Sequence, residues 1–422
     1  MKPTTAHLIH QAIAQLPFIA LLILVALLPF PYGWGHRVTL YLLGILYPLD
    51  YIVNRRWKGW RWSRKRWVYV AFIAFFLLIP IWQLFDPLQT HLYKFTLEHY
   101  APFAVIGIIG ILGTTNTLRL DYTGWVMLAV SAAIVGYVCI TVGTHAPDLE
   151  SWVAAFNDTR SALINSHMVL NLYLNLSLIM GAMIIIDTSH GWPVRLLTAM
   201  LMLPSAFALI ITDGRTGLLT FILISFAFLV YYTVRHRHWW GIVVIVLFTS
   251  GAVVLLENNE RMERDRVADN PRLYIWMVAE EMIAERPWSG YGICTARDEF
   301  VKRGLDDEQF RRHYSNHMKK GSRQKDKGAI PYEEMHPHNV LLETWTQFGI
   351  IGVVLWSLCL MLPFLMRLGA RQLYLDFSVC AFAIQSCFES LGTHLQPIYL
   401  CLIVLLFHYA TPKPKADGFR KA

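Results

Sequence analysis

Charge is scarce in this chain: Lys, Arg, Asp and Glu make up only 16% of its 422 residues, against 55% hydrophobic residues. With a mean hydropathy of +0.41, this excludes a soluble globular domain and leaves an all-α polytopic membrane protein. Cysteine is sparse as well. Cys139, Cys359, Cys380, Cys387 and Cys401 fall in apolar stretches and only Cys294 in a polar segment, so a disulfide framework is not expected. No internal repeat or low-complexity tract appears. Nor is a cleaved signal expected, because the first apolar run, about 16–32, is long enough to span and stay.

What the chain has is apolar length. Runs able to cross a bilayer recur about twelve times, at about 16–32, 38–53, 67–84, 101–114, 124–143, 168–186, 193–211, 215–233, 239–256, 339–366, 374–391 and 395–410. Basic residues follow alternate runs: Arg55, Arg56, Lys58, Arg61, Arg64, Lys65 and Arg66 after the second, Arg235 and Arg237 after the eighth, Arg367 and Arg371 after the tenth. Lys413, Lys415, Arg420 and Lys421 follow the last. All fall on one side of a twelve-span chain, which the positive-inside rule makes cytoplasmic. The stretch NRRWKGWRWSRKRW therefore reads as an anchor with an interfacial Trp belt, and no nucleic-acid partner is expected.

The other loops then face outward, above all 257–337, the longest polar segment. The expected organisation is transmembrane helices 1–9 within 1–256, a long periplasmic loop over 257–337, and helices 10–12 with a cytoplasmic tail over 338–422. Function concentrates in long outward loops. Within this one, DNPRLYIWMVAEEMIAERPWSGYG reads as a helix capped by Asn270, with Pro271 at its first position and Pro287 and Gly290 ending it. Arg272, Trp276, Ala279 and Ile283 would share its membrane-facing side.

Chemistry is expected where the loop meets the tenth run, in EEMHPHNVLLETWTQFGIIG. Pro337 suits a first helical turn, with His336 as a possible cap and His338 and Asn339 within that turn. A helix N-terminus carries partial positive charge and disfavours a protonated ring, which suits His338 to accepting a proton. The bland alternative is a histidine that only hydrogen-bonds at an interface. Arg215, in ITDGRTGLL, stands at the outer end of the eighth run, where anchoring does not require it. Either Asp213 pairs with it or its guanidinium meets an anion such as phosphate. Arg272 and Arg160 are outward as well, so three arginines and a histidine point to a phosphorylated lipid head group beside a proton acceptor.

Weaker signals surround these. Asp306, Asp307 and Glu308 read as a solvated acidic run, and His336 with His338 is too sparse for zinc, so no metal is expected. Glu343 and Glu389 are intramembrane acids that would pair with the arginines. His167 and Asn171 read first as core-packing or interhelical hydrogen-bonding groups and second as lining of the same cavity.

The long late loop, its RLYIWMVAEEMIAERPWSGYG string and the exit string HNVLLETWTQFGIIG resemble the O-antigen ligase family, which also includes pilin O-oligosaccharyltransferases and related polymerases. The resemblance covers about Arg215 to Gly352 and the twelve-span plan. It implies a fold similar to type C glycosyltransferases in a bacterial inner membrane. It further implies transfer of a glycan from undecaprenyl diphosphate to a sugar of lipid A–core on the periplasmic side, inverting, with no metal or cofactor. Carried over, His338 would be the general base, Arg215 and Arg272 would hold the diphosphate, and Arg160 is a looser match; Asn339, His336, Trp276 and Glu389 are expected in support. Where many members have Ser or Thr before the first arginine, this chain has Gly214, so a hydroxyl contact to phosphate is not implied. Transfer of the same glycan to a pilin or to a growing O-antigen chain is the alternative. A transporter or flippase is the rival from another class, but transporters carry broken helices at mid-membrane, whereas the charged groups here gather at the outer rim.

Overall fold

The computed structural model describes residues 5–31, 33–86, 90–113, 119–143, 148–164, 166–212, 214–237, 239–257, 272–306, 337–369, 371–388 and 396–409. Among them are fifteen α-helices and no strand. In chain order these are α1 (Thr5–Leu27), α2 (Trp34–Val53), α3 (Trp67–Gln83), α4 (Thr90–Leu112), α5 (Leu120–Val142), α6 (Leu149–Leu163), α7 (His167–Ile186) and α8 (Trp192–Ile211). There follow α9 (Arg215–His236), α10 (Trp240–Glu257), α11 (Arg272–Glu285), α12 (Ile293–Asp306), α13 (Val340–Met366), α14 (Gln372–Phe388) and α15 (Gln396–Tyr409).

Backbone groups in hydrocarbon must bond within their own segment, so apolar runs of this length fold as helices. Each of the twelve apolar runs coincides with one. α1, α3, α5, α7, α8, α9 and α13 are long and apolar enough to cross a membrane, and shorter apolar helices lie within α4, α10 and α15. The chain is a multi-pass, all-α membrane protein. α1 ends at Leu27, short of the expected boundary, and α4 starts well before its apolar core, at Thr90. α6 and α12 were not expected, because neither carries a long apolar run. α6 is marked instead by a cap: Asp148 Oδ1 accepts from Ser151 N at 2.7 Å.

α7 is the central helix, with 83% of its apolar window buried against 22% for α8 and for α9. Polar residues on α7 are therefore interior and need partners.

Cross-links fix the two ends of the bundle. Lys65 Nζ donates to Leu368 O at 2.8 Å, and Arg371 pairs with Asp121 at 3.0 Å and Asp187 at 2.8 Å. The end of α13, the starts of α5 and α14 and the end of α7 thus share the end that carries the basic loops. The opposite end holds the starts of α7, α9 and α13, together with α11 and α12.

At that opposite end α11 and α12 make a small core of Ile275, Val278, Ala279, Met282, Tyr291, Ala296 and Phe300, with Trp276 and Leu342 against it. The buried face of α11 is thus offset from the one expected: Ala279 is central, whereas Arg272, Trp276 and Ile283 are only partly buried. The unexpected α12 supplies the second wall. Asp86, just beyond α3, caps α12 by accepting from Cys294 N at 2.7 Å and from Thr295 Oγ1 at 2.5 Å.

Candidate active site

α13 does not begin as expected. Its cap is Asn339, whose Oδ1 accepts from Leu341 N at 2.9 Å and Leu342 N at 3.2 Å. An Asn side chain reaches these otherwise unpaired amides, so it closes the helix and leaves His338 one residue outside rather than in the first turn. His338 is half-buried and has φ +49. A non-glycine residue in the left-handed region is uncommon and is held there by its surroundings. Part of that surrounding is Trp276, whose Nε1 donates to Pro337 O at 2.9 Å. Trp276, His338 and Asn339 are thereby brought together where α11 meets the start of α13, with Arg272 one turn earlier on α11.

α13 is itself broken at Gly349 (φ 63, ψ −159). A break leaves carbonyls before it and amides after it without helical partners. The segment 287–292, PWSGYG, supplies them. Tyr291 N donates to Thr346 O at 2.8 Å, Gly292 N donates to Gln347 O at 2.9 Å, and Pro287 O accepts from Ile350 N at 2.9 Å. Pro287 O also accepts from Trp345 Nε1 at 3.0 Å, and Ser289 O accepts from Trp82 Nε1 at 2.7 Å. Gly290 (φ +64) and Gly292 (φ +85) make this turn possible; a Cβ on Gly290 would lie 2.6 Å from Gln347 C. The broken helix that sequence reasoning associated with transporters is present here, and its gap is filled by the chain's own loop.

The second group surrounds the start of α9. Thr212 Oγ1 donates to Asn171 Oδ1 at 3.1 Å, and Asn171 Nδ2 donates to Gly214 O at 3.4 Å. Asn175 Nδ2 donates to Gly217 O at 3.1 Å. Asn157 Nδ2, on α6, reaches Ile211 O at 3.2 Å, and Arg160 lies one turn further along α6, 3% exposed. A Cβ on Gly214 would come within 3.1 Å of His167 Cδ2, so glycine there permits the close approach. Of the two first readings, core packing or interhelical hydrogen bonding, Asn171 shows the second, and its bonds fix the turn that presents Arg215, the half-buried first residue of α9.

His336, Glu389, Asp213, Asp307 and Glu308 lie outside the described residues. Asp306 is the exposed last residue of α12, and Glu343 is buried in the first turn of α13, where Oε1 accepts from Gln347 Nε2 at 3.4 Å. Sequence reasoning missed Asn157, Thr212, Asn175, Asp86 and Gly349. The glycine pair in PWSGYG together with Gly349 was the available signal.

One cluster of metal-capable donors occurs among the described residues, Asp121, Asp187 and His190, with ligand atoms within 4.8 Å of one another. It stands at the basic end, and Arg371 already supplies positive charge to both carboxylates. Beside the candidate site, Arg303 grips Glu285 with bonds of 2.8 and 2.6 Å and Tyr291 Oη donates to the same carboxylate at 2.6 Å. The Arg303 bonds, then the tyrosine, pull Glu285 down to about 2, and the same carboxylate raises Arg303.

Residues 198–357 match the family model described as O-Antigen ligase. The matched segment runs from within α8 to beyond the break in α13 and includes Arg215, Arg272, Trp276, His338 and Asn339, whereas Arg160 precedes it. No curated protein matches the chain.

Proposed function

Taking as premise the O-antigen ligase family assignment that the match over 198–357 supports, we propose that this protein transfers O-antigen glycan from undecaprenyl diphosphate to a sugar of lipid A–core. The family supports a lipid-linked glycan transferase role in polysaccharide assembly; the donor, the acceptor and the periplasmic face of the inner membrane belong to the proposal. So does the division into two membrane-spanning parts, 1–256 and 338–422, flanking an outward segment, 257–337.

The observation that carries this reading is the placement of three helix starts at the same end of the bundle. α9 begins with Arg215, α11 begins with Arg272, and His338 stands immediately before the cap of α13. A helix N-terminus presents free amides and partial positive charge, so an arginine there adds to the attraction for a diphosphate.

Each chemical need then has a residue. A sugar diphosphate brings its own leaving group, so the enzyme must remove a proton from the acceptor hydroxyl and stabilise charge on the departing diphosphate. His338 accepts the proton as the hydroxyl oxygen bonds to the anomeric carbon from the face opposite the leaving group, inverting it. The bond from that carbon to phosphate breaks, and its electron pair leaves with undecaprenyl diphosphate. Arg215 and Arg272, with Arg160 in support, hold the diphosphate, whose charge grows from two to three as the bond breaks. Positioned proton transfer contributes about 10²–10⁴-fold and one charge-stabilising donor about 10²–10³-fold, and neither contribution requires a metal.

The test is a transfer assay with purified protein, undecaprenyl-diphosphate glycan and lipid A–core, run with and without chelator, on the parent, His338→Ala and Arg215→Ala. The expected result is activity that survives chelation and falls by orders of magnitude in both folded variants. Full activity in His338→Ala removes the assigned base. A product analysis that finds glycan on pilin or on lipid-linked O-antigen, and none on lipid A–core, removes the ligase reading.

A further inference from the structure

Between α2 and α3, at the basic end, residues 54–67 read NRRWKGWRWSRKRW: seven cations, four tryptophans and no acid. Anchoring requires charge but no fixed shape, yet this loop has one. It folds as two 3-10 turns, Arg56–Gly59 and Arg64–Arg66. Trp60 Nε1 donates to Ile111 O at 3.0 Å at the end of α4, and Lys65 reaches Leu368 O beyond α13. Arg66 lies 4.8 Å over the Trp60 ring and donates to Arg61 O, while Trp62 packs edge-on against Trp67 at 5.7 Å.

The fold uses only some of these cations. Arg56 is taken by Asp50 at 3.0 Å, and Lys65 and Arg66 are used as above. Arg55, Lys58, Arg61 and Arg64 are exposed, and no hydrogen bond or ion pair to their side chains occurs among the described residues. Trp57, Trp62 and Trp67 are exposed beside them, at 47%, 47% and 51%. Four uncommitted cations interleaved with exposed indoles, on a rigid loop joining two membrane-embedded helices, match a surface that is anionic and amphipathic. Indole rings settle at head-group depth and guanidiniums fork onto phosphate.

We propose that this loop is a docking surface for anionic phospholipid head groups, with Arg55, Lys58, Arg61 and Arg64 taking the phosphates and the exposed tryptophans seated among the glycerol backbones. The bound lipid is distinct from any substrate at the opposite end, and the inference does not depend on the transferase reading. It ties α2, α3, α4 and α13 to one leaflet through a single loop, so lipid binding should stabilise the bundle as well as occupy the surface.

The experiment uses delipidated full-length protein in neutral detergent, titrated with phosphatidylglycerol or phosphatidylcholine, with bound lipid counted by native mass spectrometry and thermal unfolding followed in parallel. Phosphatidylglycerol is expected to bind tighter, to raise the unfolding midpoint and to be displaced by high salt. Each basic residue near an anionic surface is worth about 5-fold in affinity, so Arg55→Gln/Lys58→Gln/Arg61→Gln/Arg64→Gln together should lose at least about 100-fold. Arg235→Gln/Arg237→Gln, at another basic loop outside the proposed surface, should lose far less than the quadruple variant. The proposal is overturned if phosphatidylcholine binds equally well, if the quadruple variant keeps its affinity, if the control pair loses as much, or if the parent prefers an acidic peptide or oligonucleotide to the lipid. The lipid and salt comparisons on the parent test the preference for anionic head groups, and single Arg55→Gln, Lys58→Gln, Arg61→Gln and Arg64→Gln variants, each expected to lose about 5-fold, carry the assignment to this loop should the quadruple variant misfold; no loss in any of the four overturns it.

Discussion

Tyr291 donates its backbone N–H to the carbonyl of Thr346 at 2.8 Å, which makes the loop after α11 part of the hydrogen-bonding of α13. The two elements that carry Arg272 and His338 are therefore one mechanical unit. Movement of α11 relative to α13 requires opening Tyr291–Thr346, Gly292–Gln347 and Pro287–Ile350 together, and breaking such bonds away from water is costly.

That unit turns on Gly349. Its φ of 63 and ψ of −159 lie in a region essentially reserved for glycine, and a Cβ would run into Trp288 O. Gly349→Ala is expected to cost about 1–3 kcal/mol from the backbone alone, seen as a lower thermal midpoint, with loss of transfer activity. Gly136→Ala is the control, because a Cβ there meets nothing within 4 Å. Equal midpoints for the two variants would show that the break tolerates side chains.

The twelve apolar runs were legible because lipid imposes one solution on such stretches. Arg215, Arg272 and His338 stood out as candidates because cations or titratable groups at the ends of apolar runs, away from the basic loops, lack an anchoring role. What placed them was not legible. Asn157, Thr212 and Asn175 are ordinary polar residues until the neighbouring chain shows them bonding to Ile211, Asn171 and Gly217. The start of α13 was misjudged because Pro337 is a strong local signal, while the capping advantage of Asn339 depends on two amides that only the folded helix presents.

Asp86 couples α3 to α12 through the amide of Cys294 and the hydroxyl of Thr295. Asp86→Ala should cost about 0.5–2 kcal/mol and raise hydrogen exchange in α12 more than in α5. Exchange that rises uniformly, or does not change, would deny Asp86 its capping role.

Acid should loosen α11 from α12 through Glu285. The folded protein holds this carboxyl at about 2, below its ordinary 4.5. A depressed carboxyl stabilises the fold above its unfolded value, so the contribution is complete above about 4.5 and disappears as pH falls through about 2. Its exposure to solvent keeps the effect small. Thermal midpoints measured from pH 7 to pH 2 should show an acid limb that Glu285→Gln flattens; an identical limb in both proteins would assign it to other carboxyls.

At Arg215 the question is whether charge alone suffices. Lysine keeps the charge but loses the planar fork that matches two phosphate oxygens. Under the proposed mechanism Arg215→Lys should lose about 10²–10³-fold in kcat/KM for the lipid-linked donor, close to Arg215→Ala. Asn171→Ala leaves Arg215 in the sequence but frees the Gly214 turn and leaves Thr212 without Asn171 Oδ1, at a cost of about 1–3 kcal/mol in stability. Its activity should fall less than that of Arg215→Ala, with the loss in kcat, because a misplaced guanidinium still attracts the diphosphate but no longer follows its charge as the bond breaks. Full activity in Arg215→Lys would replace the fork with a simple point charge, and an Asn171→Ala enzyme that is destabilised yet fully active would show that the turn serves the fold alone.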